Sequence, residues 1–180
     1  TQVDTSKFKV GENLAMTPGK IVHKTEMFEL IHYAPVGDEV YETPVLLVPP
    51  QINRYYFTDL APGRSFAEYC VSRELNHFTI SWRNPQAEHA DWSLADYTEA
   101  TLEAMEAVAQ IAGVKQINVI GFCAGGITAA LASGYLAAKK NKLVNTLALC
   151  VTMLNWKIEA QLGAFRLPAM LDVARAQSEM

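Results

Sequence analysis

The sequence predicts an α/β fold built on a mostly parallel sheet, and three observations carry that expectation. The runs PVLLV at 44–48 and INVIG at 117–121 are short, apolar and rich in β-branched residues, as strands buried on both faces are. Segments of helical period, above all 93–112 and the alanine-rich 124–140, lie between and after them. Alternation of strand and helix then requires parallel strands joined by right-handed crossovers.

The elements follow in order. Residues 1–19 have no sustained period and end in Thr17-Pro18-Gly19, which reads as an arm closed by a turn. Residues 20–33 read as one or two strands, with Met27, Glu29, Ile31 and Tyr33 on one face and Phe28, Leu30 and His32 on the other. After the strand at 44–48, stopped by Pro49-Pro50, residues 65–75 predict a helix with Phe66, Tyr69 and Cys70 on its inner side. A strand follows at 77–82, then a loop at Asn84-Pro85. Ser93 and Asp96 form a capping box for a helix whose apolar stripe is Leu94, Tyr97, Thr101/Leu102, Met105, Val108 and Ala112, stopped by Gly113. The last strand is expected over 143–153. From 154 to 180 the character changes, with Trp156, Leu162, Phe165 and Pro168 in a helical but unanchored pattern that marks the start of a further subdomain. The core is thus assigned to 20–153.

Composition excludes several classes. The 180 residues carry a net charge of −4 with no basic block, which argues against a nucleic-acid surface. Half the residues are hydrophobic and a fifth charged, the balance of a packed domain. Three cysteines, at 70, 123 and 150, with no C-x-x-C spacing, fit a reducing compartment and argue against both a disulfide framework and zinc. The N-terminal residues are polar and charged where a signal peptide needs an apolar centre, so a cytoplasmic location is expected. One uncharged stretch, 116–138, is 23 residues long and imitates a membrane span. Its four glycines and its division into a β-branched half and an alanine-rich half identify it instead as strand, turn and helix.

That turn is where the chemistry is expected. Gly121-Phe122-Cys123-Ala124-Gly125-Gly126 matches G-x-S-x-G with cysteine in place of serine. A nucleophile at such a turn is crowded by strand and helix, so the residues two before and two after must lack side chains. Cys123 would sit at a helix N-terminus, where free N–H groups and the helix dipole favour a thiolate and hold an oxyanion, the N–H of Ala124 being one donor. Cys70, on a helix, and Cys150, inside a strand, are expected to be passive and buried. A thiol nucleophile also has a chemical consequence: transfer from a thioester to cysteine is nearly isoenergetic, so the acyl group stays activated for a second transfer. A coenzyme A thioester donor and a hydroxyl acceptor fit that logic.

Several linked motifs resemble one family. They are GFCAGG; Pro49-Pro50-Gln51-Ile52-Asn53-Arg54-Tyr55-Tyr56 with Asp59-Leu60; Asn13-Leu14-Ala15-Met16-Thr17-Pro18-Gly19-Lys20; and Ser81-Trp82-Arg83-Asn84-Pro85 leading to Asp91-Trp92 and Asp96-Tyr97. In order and spacing, from about Val10 to Leu154, the chain resembles the poly(3-hydroxyalkanoate) synthases. The resemblance implies an α/β-hydrolase fold and a Cys-His-Asp triad that polymerises (R)-3-hydroxyacyl-CoA into polyester with release of CoA. It makes Cys123 the nucleophile and the loop after Pro50 the source of a second oxyanion N–H, that of Ile52. CoA is then part of the substrate, and no cofactor or metal is implied. The resemblance further implies a homodimer at the surface of polymer granules and makes 154–180 the start of a cap.

One feature departs from the pattern. In this fold the histidine follows the nucleophile, yet the 57 residues after Cys123 contain none, and all four histidines, at 23, 32, 77 and 89, precede it. The chain is therefore expected to be the first half of a synthase core, truncated before the late strands, inactive alone, and left with its last strand as an unpaired edge. His89, in a loop, reads as an exposed histidine and not a base. Arg54-Tyr55-Tyr56 reads equally as a nucleotide or acyl contact and as a structural loop. Two other functions remain open at this point: a dienelactone-hydrolase-like cysteine hydrolase, which lacks a PPQINRYY-type loop, and a non-enzymatic granule-associated fragment.

Overall fold

The computed structural model describes residues 4–155. The helical pattern expected around Trp156, Leu162, Phe165 and Pro168, and with it the cap, lies outside the described residues. The elements run β1 (Gly19–Lys24), β2 (Phe28–Tyr33), β3 (Val45–Val48), a 3-10 turn (Tyr55–Thr58), β4 (Asp59–Ala61), β5 (Arg64–Ser65), α1 (Phe66–Ser72), β6 (His77–Trp82), α2 (Leu94–Ala112), β7 (Ile117–Phe122), α3 (Ala124–Ala138) and β8 (Val144–Cys150). Two further 3-10 turns lie at Thr5–Lys7 and Ala87–His89.

Among the described residues six strands form one sheet in the order β1-β2-β6-β3-β7-β8. The hairpin β1-β2 is antiparallel and joins β6 in antiparallel register, whereas β6, β3, β7 and β8 are mutually parallel. All four parallel strands therefore end at one edge of the sheet, and the loops that leave them gather there. β4 and β5 form a separate two-stranded ribbon.

The main core lies on the face covered by α2 and α3. Leu46 and Val48 of β3 meet Phe28, Leu30, Phe78, Ile80, Ile117 and Val119 there, under Ala104, Met105 and Val108 of α2 and Ala129, Ala132 and Leu136 of α3. Small residues let the two helices approach, and at their crossing the Thr101 hydroxyl donates to that of Thr128 at 3.1 Å. α2 is closed at its start by the expected capping box, where the Ser93 N–H donates to Asp96 Oδ2 at 2.6 Å. Gly113, at φ 69°, ends it in the left-handed conformation. On the opposite face Tyr33, Ala67 and Val71 form a smaller cluster under α1.

Three boundaries differ from expectation, each for a local reason. α1 ends at Ser72 and not near Leu75, because Glu74 turns to φ 60° and the Leu75 N–H closes back on the Cys70 carbonyl at 3.1 Å. α3 ends in the same way: Lys140 takes φ 55°, and Asn141 donates to Leu136 at 2.9 Å. β8 stops at Cys150, where Val151 turns to φ 48°. The inner side of α1 is corrected at Tyr69, which is exposed; Cys70 is buried with Ala67 and Val71, and Phe66 packs against His77 and Phe122. Among the described residues no helix is long and apolar enough to cross a membrane, and the uncharged stretch at 116–138 divides into β7, a turn and α3.

Candidate active site

The turn between β7 and α3 is a strained elbow. Cys123 caps α3 at φ 52° and ψ −120°, a conformation that costs a non-glycine residue on the order of 1–3 kcal/mol and persists only where the surroundings enforce it. The enforcement is visible at its glycines. A methyl group on Gly121 would lie 2.5 Å from the Gly126 Cα, and one on Gly125 would overlap the carbonyls of Val48 and Pro49. Gly126 is closed in by the Thr152 side chain, just past β8, which a methyl group there would have to displace. This third requirement was not apparent from the motif, although the doubled glycine was its signal. The Cys123 N–H donates to the Cys150 carbonyl at 3.0 Å, which ties the elbow to the neighbouring strand.

Cys123 is exposed at the helix N-terminus. Ala124 is the first residue of α3, so its N–H has no acceptor within the helix. Ile52 lies in the turn that follows β3, where the Asn53 N–H donates to the Pro50 carbonyl at 3.1 Å, and its side chain is 86% exposed. β3 and β7 are neighbours, with Val48 opposite Gly121, so the Ile52 loop and the elbow leave the sheet side by side. The overlap of a Gly125 methyl with Val48 and Pro49 shows how closely the two segments pack. The fold thus brings the nucleophile candidate, the Ala124 N–H and the Ile52 loop to one edge.

Among the described residues no histidine is hydrogen-bonded to Cys123. His23 pairs with Glu103 at 2.9 Å and His32 with Asn76 at 2.8 Å. His77 is fully buried, stacked on Tyr33 at 5.4 Å and edge-on to Phe66 at 6.0 Å. Neither of its ring nitrogens closes a hydrogen bond of good geometry, although the Val45 backbone lies near enough to favour the protonated ring slightly. Burial dominates and drives its pKa down to about 4. His89, expected to be exposed, is buried against Trp92 at 4.2 Å. Its Nδ1 accepts the Gln86 N–H at 2.9 Å, which closes a capping box around the 3-10 turn and accounts for its burial.

The remaining cysteines divide. Cys70 is buried as expected, and desolvation pushes its thiol up to about 11. Cys150, expected to be buried, is exposed among the described residues, where β8 is the last strand of the sheet.

These features define a class. Residues 44–178 match the alpha/beta hydrolase fold family, and the chain belongs to it. Residues 1–70 match the family described as Poly-beta-hydroxybutyrate polymerase (PhaC) N-terminus. Among characterised relatives, the chain is 39% identical over 178 residues to Poly(3-hydroxyalkanoate) polymerase 1 of Ectopseudomonas oleovorans, covering 99% of this chain and 32% of that protein. It is 39% identical over 166 residues to the Poly(3-hydroxyalkanoate) polymerase subunit PhaC of Cupriavidus necator, covering 92% of this chain and 28% of that one. The chain therefore spans about a third of the length of these relatives. The Francisella virulence factor BioJ shares the fold, with a TM-score of 0.55 at 12% identity over 87% of this chain and 49% of that structure.

Proposed function

We propose that this chain supplies the nucleophile and oxyanion half of a polymerase that moves (R)-3-hydroxyacyl groups from coenzyme A to a growing polyester. The observation that carries the reading is the elbow, a cysteine held at φ 52° on a helix N-terminus beside the Ile52 loop. In the first step the Cys123 thiolate attacks the thioester carbonyl carbon. Its electron pair moves onto oxygen, where the N–H groups of Ala124 and Ile52 receive it. Collapse expels the CoA thiolate, which takes up the proton the cysteine gave away, and the acyl group remains on Sγ as a thioester. A chain-end hydroxyl then attacks that thioester, loses its proton and regenerates the Cys123 thiolate as the ester forms.

Both steps move a proton, and none of the four histidines is hydrogen-bonded to Cys123 among the described residues. The base that serves them, and the acid that orients it, belong in this proposal to the part of the polymerase beyond these residues. Such a base commonly contributes about 10²–10⁴-fold. The homodimer and the granule surface belong to the same proposal, with Ile52, Phe57 of the 3-10 turn and Leu60 of β4 offering exposed apolar surface after β3.

The test is CoA release from (R)-3-hydroxybutyryl-CoA by residues 1–180. The expected result is at most about one equivalent of CoA per chain, lost in Cys123→Ala. Sustained release at the rate of a complete polymerase would overturn the assignment of the base and bring one of the upstream histidines into the site.

A further inference from the structure

Two motifs that this chemistry leaves unused, the segment 13–20 and Asp59-Leu60, meet in the fold. Asp59 is only 2% exposed, and its carboxylate is filled by Thr17: Oδ1 accepts the threonine hydroxyl at 2.7 Å and Oδ2 its N–H at 3.2 Å. The Asp59 carbonyl accepts the Ala15 N–H at 2.8 Å, where Ala15 takes φ 54° to reach it. The Thr17 hydroxyl also lies 3.3 Å from that of Ser65, which pairs with Asp59 across the β4-β5 ribbon and caps α1 through the Glu68 N–H. Burying a carboxylate among neutral donors is costly, and apolar contact would hold an arm more cheaply. What the charge adds is direction, since its oxygens fix where Thr17 and Asp59 stand relative to each other.

That direction reaches the Ile52 loop. From Asp59 back to Ile52 the chain turns through successive local bonds: Thr58 Oγ1 donates to the Tyr55 carbonyl at 3.0 Å, the Phe57 N–H to Arg54 at 3.0 Å, and the Asn53 N–H to Pro50 at 3.1 Å. At the other end of the loop the buried Trp82 Nε1 donates to the Pro49 carbonyl at 2.8 Å. The loop is thus held at both ends, by Trp82 on the sheet side and by the Thr17–Asp59 pair on the arm side.

We propose that Thr17 and Asp59 are positioning residues that aim the Ile52 N–H at the acyl oxygen on Cys123, so that the N-terminal arm completes the oxyanion site from a distance. The proposal rests on the roles given above to Cys123 and Ile52. It assigns the arm a part in the rate of acyl transfer and none in substrate capture. Loss of one oxyanion donor costs about 10²–10³ in kcat, and a donor that is loosened but not lost costs a fraction of that.

The experiment is steady-state kinetics with (R)-3-hydroxybutyryl-CoA on Thr17→Val, Thr17→Ser and Asp59→Asn, made in the entire polymerase that carries this sequence. Thr17→Val keeps the N–H bond and removes the hydroxyl bond, so it is expected to lower kcat roughly tenfold with KM within about twofold, and Thr17→Ser to restore it. Asp59→Asn replaces one of the two accepting oxygens by an NH2 donor and removes the charge that both Thr17 bonds share, and its loss should be larger. If that variant does not fold, the threonine pair carries the test. A Thr17→Val enzyme with kcat within about twofold of the parent, while Cys123 still takes up the acyl group, would overturn the positioning role and leave the nucleophile untouched. A loss of kcat that serine fails to restore, or that disappears on cooling below the melting transition, would mark a purely structural arm and overturn it as well. Acyl label retained in Cys123→Ala would instead remove the reading on which the proposal stands.

Discussion

Acid should destabilise this domain in large part through His77. Its ring is wholly buried between Tyr33 and Phe66, with no well-formed hydrogen bond to either nitrogen, and burial lowers its pKa from 6.5 to about 4. In the unfolded chain the same ring takes its proton near the ordinary value. Between those limits the folded state binds fewer protons than the unfolded one, so stability is whole above about pH 6.5 and is lost progressively as the pH falls toward 4. At about 1.36 kcal/mol per unit of pKa, the loss approaches roughly 3 kcal/mol. That is a large part of the stability of an ordinary domain. Replacement by phenylalanine keeps a flat ring between Tyr33 and Phe66 and removes the buried nitrogens, so His77→Phe should be neutral or stabilising at pH 7.5. Urea unfolding of both proteins, followed by far-ultraviolet circular dichroism at pH 7.5, 6.0, 5.0 and 4.5, isolates the histidine because every other titrating group is shared. The difference in unfolding free energy should widen in favour of the variant by roughly 2–3 kcal/mol across that range. A difference that stays constant with pH would refute the reasoning, since it would mean that the folded protein takes up the proton as readily as the unfolded chain.

Two further changes probe how the elbow and its supporting helix are built. Gly125→Ala places a methyl group on the Val48 and Pro49 carbonyls, where backbone on both sides must move; it should destabilise by at least about 1–3 kcal/mol and change the rate at which iodoacetamide alkylates Cys123, read by thermal melting and peptide mass. Ser93→Ala removes the acceptor for the Asp96 N–H at the start of α2 and should cost about 1 kcal/mol in urea unfolding with no change at Cys123.

How much of this could be read from the chain follows from the range of each interaction. The strand at Val45–Val48 is apolar throughout because both its faces are covered, and the helix at Leu94–Ala112 carries its own start in Ser93 and Asp96 and its own stop in Gly113. The elbow was equally legible, because the crowding around Cys123 demands glycines within a few residues of it. Helix ends at Glu74 and Lys140 were missed, since a left-handed residue there is not a glycine and leaves no local mark. The position of β6 between β2 and β3 is a matter of tertiary pairing that sequence order does not encode. The burial of His89 depends on Trp92 closing over a short turn that reads as an ordinary loop. Least legible was the pair of Thr17 and Asp59, 42 residues apart, where a small polar residue in an arm and an acid in a loop give no sign that they meet.

The central proposal is that the acyl group passes through Cys123, and peptide mass analysis after brief exposure of the full-length protein carrying this sequence to (R)-3-hydroxybutyryl-CoA tests it most directly. The account predicts one hydroxyacyl adduct on the peptide that contains Cys123, none on those containing Cys70 or Cys150, and no adduct in Cys123→Ala. An adduct on another residue, or one that persists at the same level in Cys123→Ala, would contradict it.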